Sequence, residues 1–239
     1  MPHKRQNMVR TLTCAILTAA LCPLLVACSG LTARGAPSSP TPELSLAAGT
    51  TLAAIGVRPD EPNGSGREDA TWRDRRVAFG LNNLLAEAFY DTGKFRLVEG
   101  KNLRQRQVVE ELVELSWGGS RPELSDTDLE GIASRLEANL LTYGTIGYSR
   151  SSGRRLQLGP VGSYQQRLRV SVEVCLYEVS THKTLCREAE GTAQQEGVGV
   201  IYEFRNDRLE FEKSAAGRAT KQAVTSAVRA VMASLRFPS

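Results

Sequence analysis

The sequence predicts an α/β domain, a sheet with helices packed on it, from three observations. Apolar residues recur at three- and four-residue spacing in four separate stretches. From Leu168 to Val179 the chain instead alternates with a period of two. The two patterns follow one another in the order β, α, β, α, α, then β strands and a last α, with no internal repeat, an order that builds a sheet covered by helices.

Thr51 to Val57 is short and apolar and is bounded by Arg58, Pro59, Asp60, Glu61, Pro62, Asn63 and Gly64, so it reads as a buried first strand followed by a loop. Val77, Leu81, Leu84, Leu85, Ala88 and Phe89 then mark a helix that Gly93 stops. Phe95 to Glu99 is a short strand, and Asn102 to Leu115 returns to helical spacing. Ser125 with Asp128 three residues on is a capping pattern, opening a helix through Leu136. Asn139 to Tyr148 is strand-like.

In the alternating stretch, Val170, Val172, Val174 and Leu176 share one face, while Arg169, Ser171, Glu173 and Cys175 share the other; Thr184 onward supplies the antiparallel partner. A two-residue turn at Thr181 and His182 would pair Tyr177 with Cys186 and make Cys175 its diagonal neighbour. Diagonal neighbours sit about 7–8 Å apart at Cα, slightly beyond disulfide reach. Cys175 and Cys186 are thus a candidate disulfide that an oxidising compartment permits, with two unlinked thiols the favoured expectation. Thr220, Val224, Ala227, Val228, Val231, Met232 and Leu235 form the stripe of a closing helix.

The lead segment carries Lys4, Arg5 and Arg10, then a run from Ala15 to Ala27 without charge, ending in Leu25-Val26-Ala27-Cys28. This is the layout of a secretory signal, and the apolar run is shorter than the ~20 residues of a spanning helix. Residues 1–27 are expected to be removed, leaving 28–48 as a Pro/Ser-rich extended tether and 49–239 as the domain. The chain has thirty Lys and Arg against twenty-six Asp and Glu; loss of residues 1–27 removes three basic residues and no acid, leaving a net charge of +1. Nucleic-acid binding needs a concentrated basic face, so no nucleic-acid partner is expected.

Beyond residue 27 the only imidazole is His182. A two-histidine metal site is therefore ruled out, a Ser/His/Asp set is not expected because the lone His182 falls in the predicted turn, and no phosphate loop, dinucleotide fingerprint or Cys-x-x-Cys is present. Glu110, Glu111 and Glu114 lie on a helix with an apolar opposite face and read as its solvated side. No enzymatic activity, cofactor or metal is expected.

The ending at Cys28 resembles the lipobox of bacterial lipoproteins, in which the cysteine becomes the lipidated first residue. Four further stretches resemble the CsgG/HfaB family, which includes the curli secretion channel subunit and a holdfast-associated lipoprotein. They are Leu84 to Glu99 with Asn102 and Leu103 after it; Tyr143 to Tyr148; the hairpin from Val170 to Cys186 with Glu178, Val179, Ser180 and Thr181 at its turn; and the terminal amphipathic helix. The resemblance implies a periplasmic α/β sandwich anchored to the outer membrane by lipid at Cys28. It also implies a homo-oligomeric ring whose subunits each give two β-hairpins to one transmembrane β-barrel, the route or anchor for an extracellular adhesin, curli-like fibre or holdfast component. Ser29, where inner-membrane lipoproteins typically carry Asp, favours the outer membrane.

Membrane strands need about 9–11 residues with alternate side chains facing lipid. The candidate hairpins are 142–170, whose second arm alternates Leu156 and Leu158 with Arg155 and Gln157, and 195–213. In the latter, Val198, Val200, Tyr202 and Phe204 would face lipid, a turn would fall near Asn206 and Asp207, and Leu209 and Phe211 would return on the same face. The family's constriction lies between the first strand and first long helix, here Arg58 to Arg73. This loop lacks the family's Tyr and Asn-Phe pair, leaving Arg67, Glu68, Asp69, Trp72 and Arg73 as candidate pore-loop residues. The alternative is a periplasmic lipoprotein without a channel, an interaction module for an envelope assembly machine.

Overall fold

The computed structural model describes residues 44–60, 74–98, 103–117, 124–151, 155–158, 161–196 and 202–238. The protein is a mixed α/β fold. Its main sheet holds β2 (Thr50–Pro59), β3 (Phe95–Leu97), β4 (Leu140–Ser151), β5 (Arg155–Leu158), β6 (Val161–Glu178) and β7 (Lys183–Glu196). β3 and β4 flank β2 in parallel, and β4, β6 and β7 run antiparallel in turn. β5 pairs with residues 161–164 of β6, beyond the stretch that β4 occupies.

Among the described residues four helices cover the sheet: α1 (Arg75–Tyr90), α2 (Leu103–Trp117), α3 (Asp126–Leu136) and α4 (Ala215–Ala233). Two apolar cores result. On one face Val77, Leu81, Leu85 and Phe89 of α1 meet Val170, Val172 and Val174 of β6 and Val224, Val228 and Val231 of α4. On the other, Leu129, Ile132 and Leu136 of α3 and Val108 and Leu112 of α2 surround Tyr177, Leu141 and Ile55. The odd residues of β6 are thus not uniformly wet: Cys175 and Tyr177 are buried at the end that α2 and α3 cover.

Local chemistry explains the helix ends. Asp74 caps α1 by accepting from the Arg76 amide at 2.8 Å. Ser125 and Asp128 form a reciprocal capping box on α3, which closes at Glu137 in the left-handed conformation. α4 carries Ala219, Ala223 and Ala227 toward β7, and a Cβ on Gly191 of β7 would overlap the Ala219 carbonyl. Small residues on both elements therefore set the close approach of helix and sheet.

Three expectations need correction. Leu44 and Leu46, assigned to the tether by their Pro/Ser-rich surroundings, are buried; β1 (Leu44–Ser45) pairs in parallel with β10 (Leu235–Arg236), so the domain begins before residue 49. Leu235, assigned to the closing helix, lies in β10, because α4 ends at Ala233. The turn between β6 and β7 spans four residues, from Val179 to His182, with Glu178 opposite Lys183. That shift of register sets Cys175 directly opposite Cys186 rather than diagonal to it.

Candidate functional site

Chemistry-bearing side chains are few. Cys175 and Cys186, 4.0 Å apart at Cα, form a disulfide across β6 and β7. This corrects the expectation of free thiols, and the cause is the register just described. Glu173 is the third group that meets them within 4.8 Å, but two sulfurs joined to each other are not thiolate ligands. His182, in the turn at φ 55°, holds its Nδ1 2.9 Å from Glu130 Oε1 of α3 and 3.1 Å from the Tyr177 hydroxyl. The imidazole thereby ties the turn to the helix beneath it.

The upper sheet and the segment from Tyr202 to Lys213 are where the hairpin expectations fall. In the first candidate, Thr142, Gly144, Ile146, Leu168 and Val170 belong to the core sheet and are buried. Tyr148 packs on the same core. The candidate 142–170 is therefore too long at its base, and the described residues beyond the packed core are about 149–151, 155–158 and 161–167. There β4 pairs through Ser151 with Arg167, and β5 closes onto Val161.

The second candidate is corrected more sharply. β8 (Phe204–Arg205) and β9 (Arg208–Leu209) form a hairpin of two residues per arm, far short of a membrane strand. The turn falls at Asn206 and Asp207 as expected, both at positive φ, which suits a two-residue hairpin. Yet Tyr202 is buried, its hydroxyl 2.5 Å from that of Tyr148 and 2.8 Å from Thr220 Oγ1. Phe204, Leu209 and Phe211 pack against the same core. The face assigned to lipid thus meets α1 and α4. Val198 and Val200 lie outside the described residues.

This strap is fitted to the helices by features that alternation does not reveal. A Cβ on Gly80 of α1 would stand 2.7 Å from Leu209 Cδ2, and one on Gly217 of α4 would overlap the Phe211 backbone. The Arg76 guanidinium lies 4.1 Å from the Phe204 ring centroid and 3.4 Å from Asp207 Oδ1. The same guanidinium holds the Asp74 carboxyl below its ordinary range by hydrogen bonding. Gly80 and Gly217 cost helix propensity against Ala and so point to a packing reason, but the signal is not specific, since a Cβ on Gly131 of α3 would meet nothing within 4 Å. The candidate pore-loop residues Arg67, Glu68, Asp69, Trp72 and Arg73, and the candidate lipidation site Cys28, lie outside the described residues. The described ends of that loop are Asp60, whose amide donates to Ile146 O at 2.7 Å, and the α1 cap Asp74.

No family model and no curated protein matches the chain. Among solved structures, the chain is similar to the LpoB C-terminal domain from Salmonella enterica, with 20% identity, 63% of this chain and 86% of that chain covered, and a TM-score of 0.34. It is also similar to a PelC dodecamer from Paraburkholderia phytofirmans, at 12% identity, 82% and 94% coverage and a TM-score of 0.36. A hypothetical protein from Chlamydia trachomatis gives 11% identity, 77% and 96% coverage and a TM-score of 0.41. Likeness at this level carries no functional inference.

Proposed function

We propose that the protein is an outer-membrane lipoprotein of the CsgG type, anchored at Cys28, that forms or supports a passive secretion channel for an extracellular adhesin or anchors it. The observation that carries this reading is the signal ending in Leu25-Val26-Ala27-Cys28 ahead of an α/β domain in which β4 and β6 continue past the packed core and β5 pairs at the far end of β6. In this reading the segment 149–167 supplies the arms of about 9–11 residues that a membrane strand needs. In this reading subunits assemble into a homo-oligomeric ring facing the periplasm, and no catalytic step is involved.

A second reading is favoured by the strap. Because Tyr202, Phe204, Leu209 and Phe211 pack inward, the described part of the second candidate hairpin is not free to enter a membrane, which suits a lipoprotein that docks on an envelope machine without a channel. Sizing of the lipoprotein extracted in mild detergent separates the two. A ring many subunits large supports the first, and a monomer supports the second.

A further inference from the structure

We propose that Cys175, Cys186 and Glu173 form a redox-gated zinc site: the two sulfurs are closed to metal while joined to each other, and once a dithiol reduces them they bind Zn²⁺ together with the Glu173 carboxylate. The proposal is independent of whether the hairpins conduct.

Register builds the site. Glu173 and Cys175 stand two residues apart on β6, so their side chains leave the same face of the sheet. Cys186 of β7 is the partner of Cys175, and Glu188 is the partner of Glu173. The four residues thus mark the corners of one small patch, with the sulfurs at the end toward the β6–β7 turn and the carboxylates at the other. The Cys175 carbonyl is turned toward β4, where it accepts from Thr142 Oγ1 at 3.0 Å, and the Cys186 carbonyl accepts from Arg187 Nη1 at 2.8 Å. With these groups engaged elsewhere, the cysteines are a non-hydrogen-bonded pair, the closer of the two kinds in an antiparallel ladder. One ligand atom from each of Glu173, Cys175 and Cys186 lies within 4.8 Å of the other two.

The donor set selects the ion. Thiolates favour zinc and copper(I) over magnesium and calcium, and zinc also accepts a carboxylate oxygen in a tetrahedral shell. Zinc–sulfur bonds of about 2.3 Å hold two thiolates roughly 3.8 Å apart, a separation within reach of side chains on directly opposed residues. Three protein ligands leave the fourth position to water. A second observation also calls for a cation. Glu173 and Glu188 face each other as like charges, which is destabilising in a strand pair. Among the described residues no ion pair involves either, and the neighbouring Arg169 pairs with Glu190 instead.

The gate is thiol–disulfide exchange. Cys175 is buried, but Cys186 is half-buried, so an attacking thiolate has one sulfur to reach. It forms a mixed disulfide with Cys186 and frees Cys175, and the second thiol of the reductant then displaces Cys186. The reductant ends as a disulfide, having given two electrons, and each cysteine ends with a proton. Zinc binding releases those two protons to solvent.

The test compares the full lipoprotein in detergent before and after reduction by a phosphine, with the excess removed without air. Equilibrium dialysis against Zn²⁺, read by elemental analysis, is expected to give one zinc ion per chain for the reduced protein and none for the oxidised one. Co²⁺ in place of zinc should show thiolate-to-metal charge-transfer absorption in the reduced sample alone. Glu173→Gln should weaken zinc binding at least about tenfold, no less than losing a group that merely supports a ligand, and Cys175→Ala/Cys186→Ala should abolish it. Where reduction loosens the fold by circular dichroism, added zinc is expected to restore it. Equal zinc uptake by oxidised and reduced protein, no uptake after reduction, uptake retained by the double cysteine variant, or unchanged affinity in Glu173→Gln overturns the proposal.

Discussion

Tyr202 and Tyr148 meet hydroxyl to hydroxyl, 2.5 Å apart, joining the strap at 202–213 to the top of β4. Thr220 Oγ1, 2.8 Å from the Tyr202 hydroxyl, extends the link to α4. Removing that hydroxyl in Tyr202→Phe is expected to cost about 1–3 kcal/mol, since its hydrogen bonds are lost inside a buried site. Tyr202→Ala, which also empties a ring-sized space, should cost about 3–5 kcal/mol. Equilibrium urea unfolding measures both, and a Tyr202→Phe variant as stable as the parent would mean that the link contributes nothing.

The disulfide between Cys175 and Cys186 closes a short loop, with a sequence separation of 11. Loop-closure entropy for such a length gives about 2–3 kcal/mol. Unfolding of the oxidised protein should therefore fall by that amount in the Cys175→Ala/Cys186→Ala variant, and alkylation followed by mass spectrometry should find both thiols blocked in the untreated protein. Quantitative alkylation of either would contradict the pairing.

Gly191→Ala should be among the most damaging single-methyl changes, at about 3 kcal/mol, the upper range for overpacking. The new methyl would strike the Ala219 carbonyl of α4, which is backbone and cannot rotate away. Gly80→Ala meets Leu209 at Cδ2 (2.7 Å) and at Cβ (2.8 Å); the Cδ2 can rotate away but the Cβ needs a small shift of the strap, so the change should cost less than a clash with helix backbone. Thermal melts of the two variants test the order.

Legibility of the sequence followed the strength of local chemistry. Ser125 with Asp128 and the stripe from Val77 to Phe89 are self-contained signals, and both helices appear where expected. The β6–β7 turn was placed inside its true span because Val179 and Ser180 belong to it, and neither has the special backbone preference that marks a two-residue hairpin. Widening the turn by two residues moves the register by two, which keeps Cys175 on its face but sets it directly opposite Cys186 instead of diagonal to it. Leu44 and Leu46 escaped notice because a two-residue strand has no periodicity to read. For Tyr202, Phe204, Leu209 and Phe211 the alternation was real, but alternation states only that one face is apolar. Lipid and the α1–α4 surface satisfy it equally.

Asp74 gives a pH dependence. Its carboxyl is held below the ordinary value, chiefly by the hydrogen bond to Arg76. A depressed folded-state value means that the stabilisation is full above the unfolded value near 3.9 and is lost as pH falls through the folded one. Asp74→Asn keeps a capping oxygen but should flatten the acid limb of the stability profile below about pH 4. An unchanged acid limb would mean that the pair with Arg76 does not titrate with folding.

Cys28→Ala should abolish incorporation of radioactive palmitate and release the protein from the membrane fraction. Label retained by the variant would contradict lipidation at this residue.

Passage through a ring can be read from planar-bilayer conductance of the detergent-extracted protein. Stepwise ion conductance from a high-mass assembly is the predicted result. An unaltered bilayer in the presence of the same purified protein would contradict the channel and leave an anchored docking module.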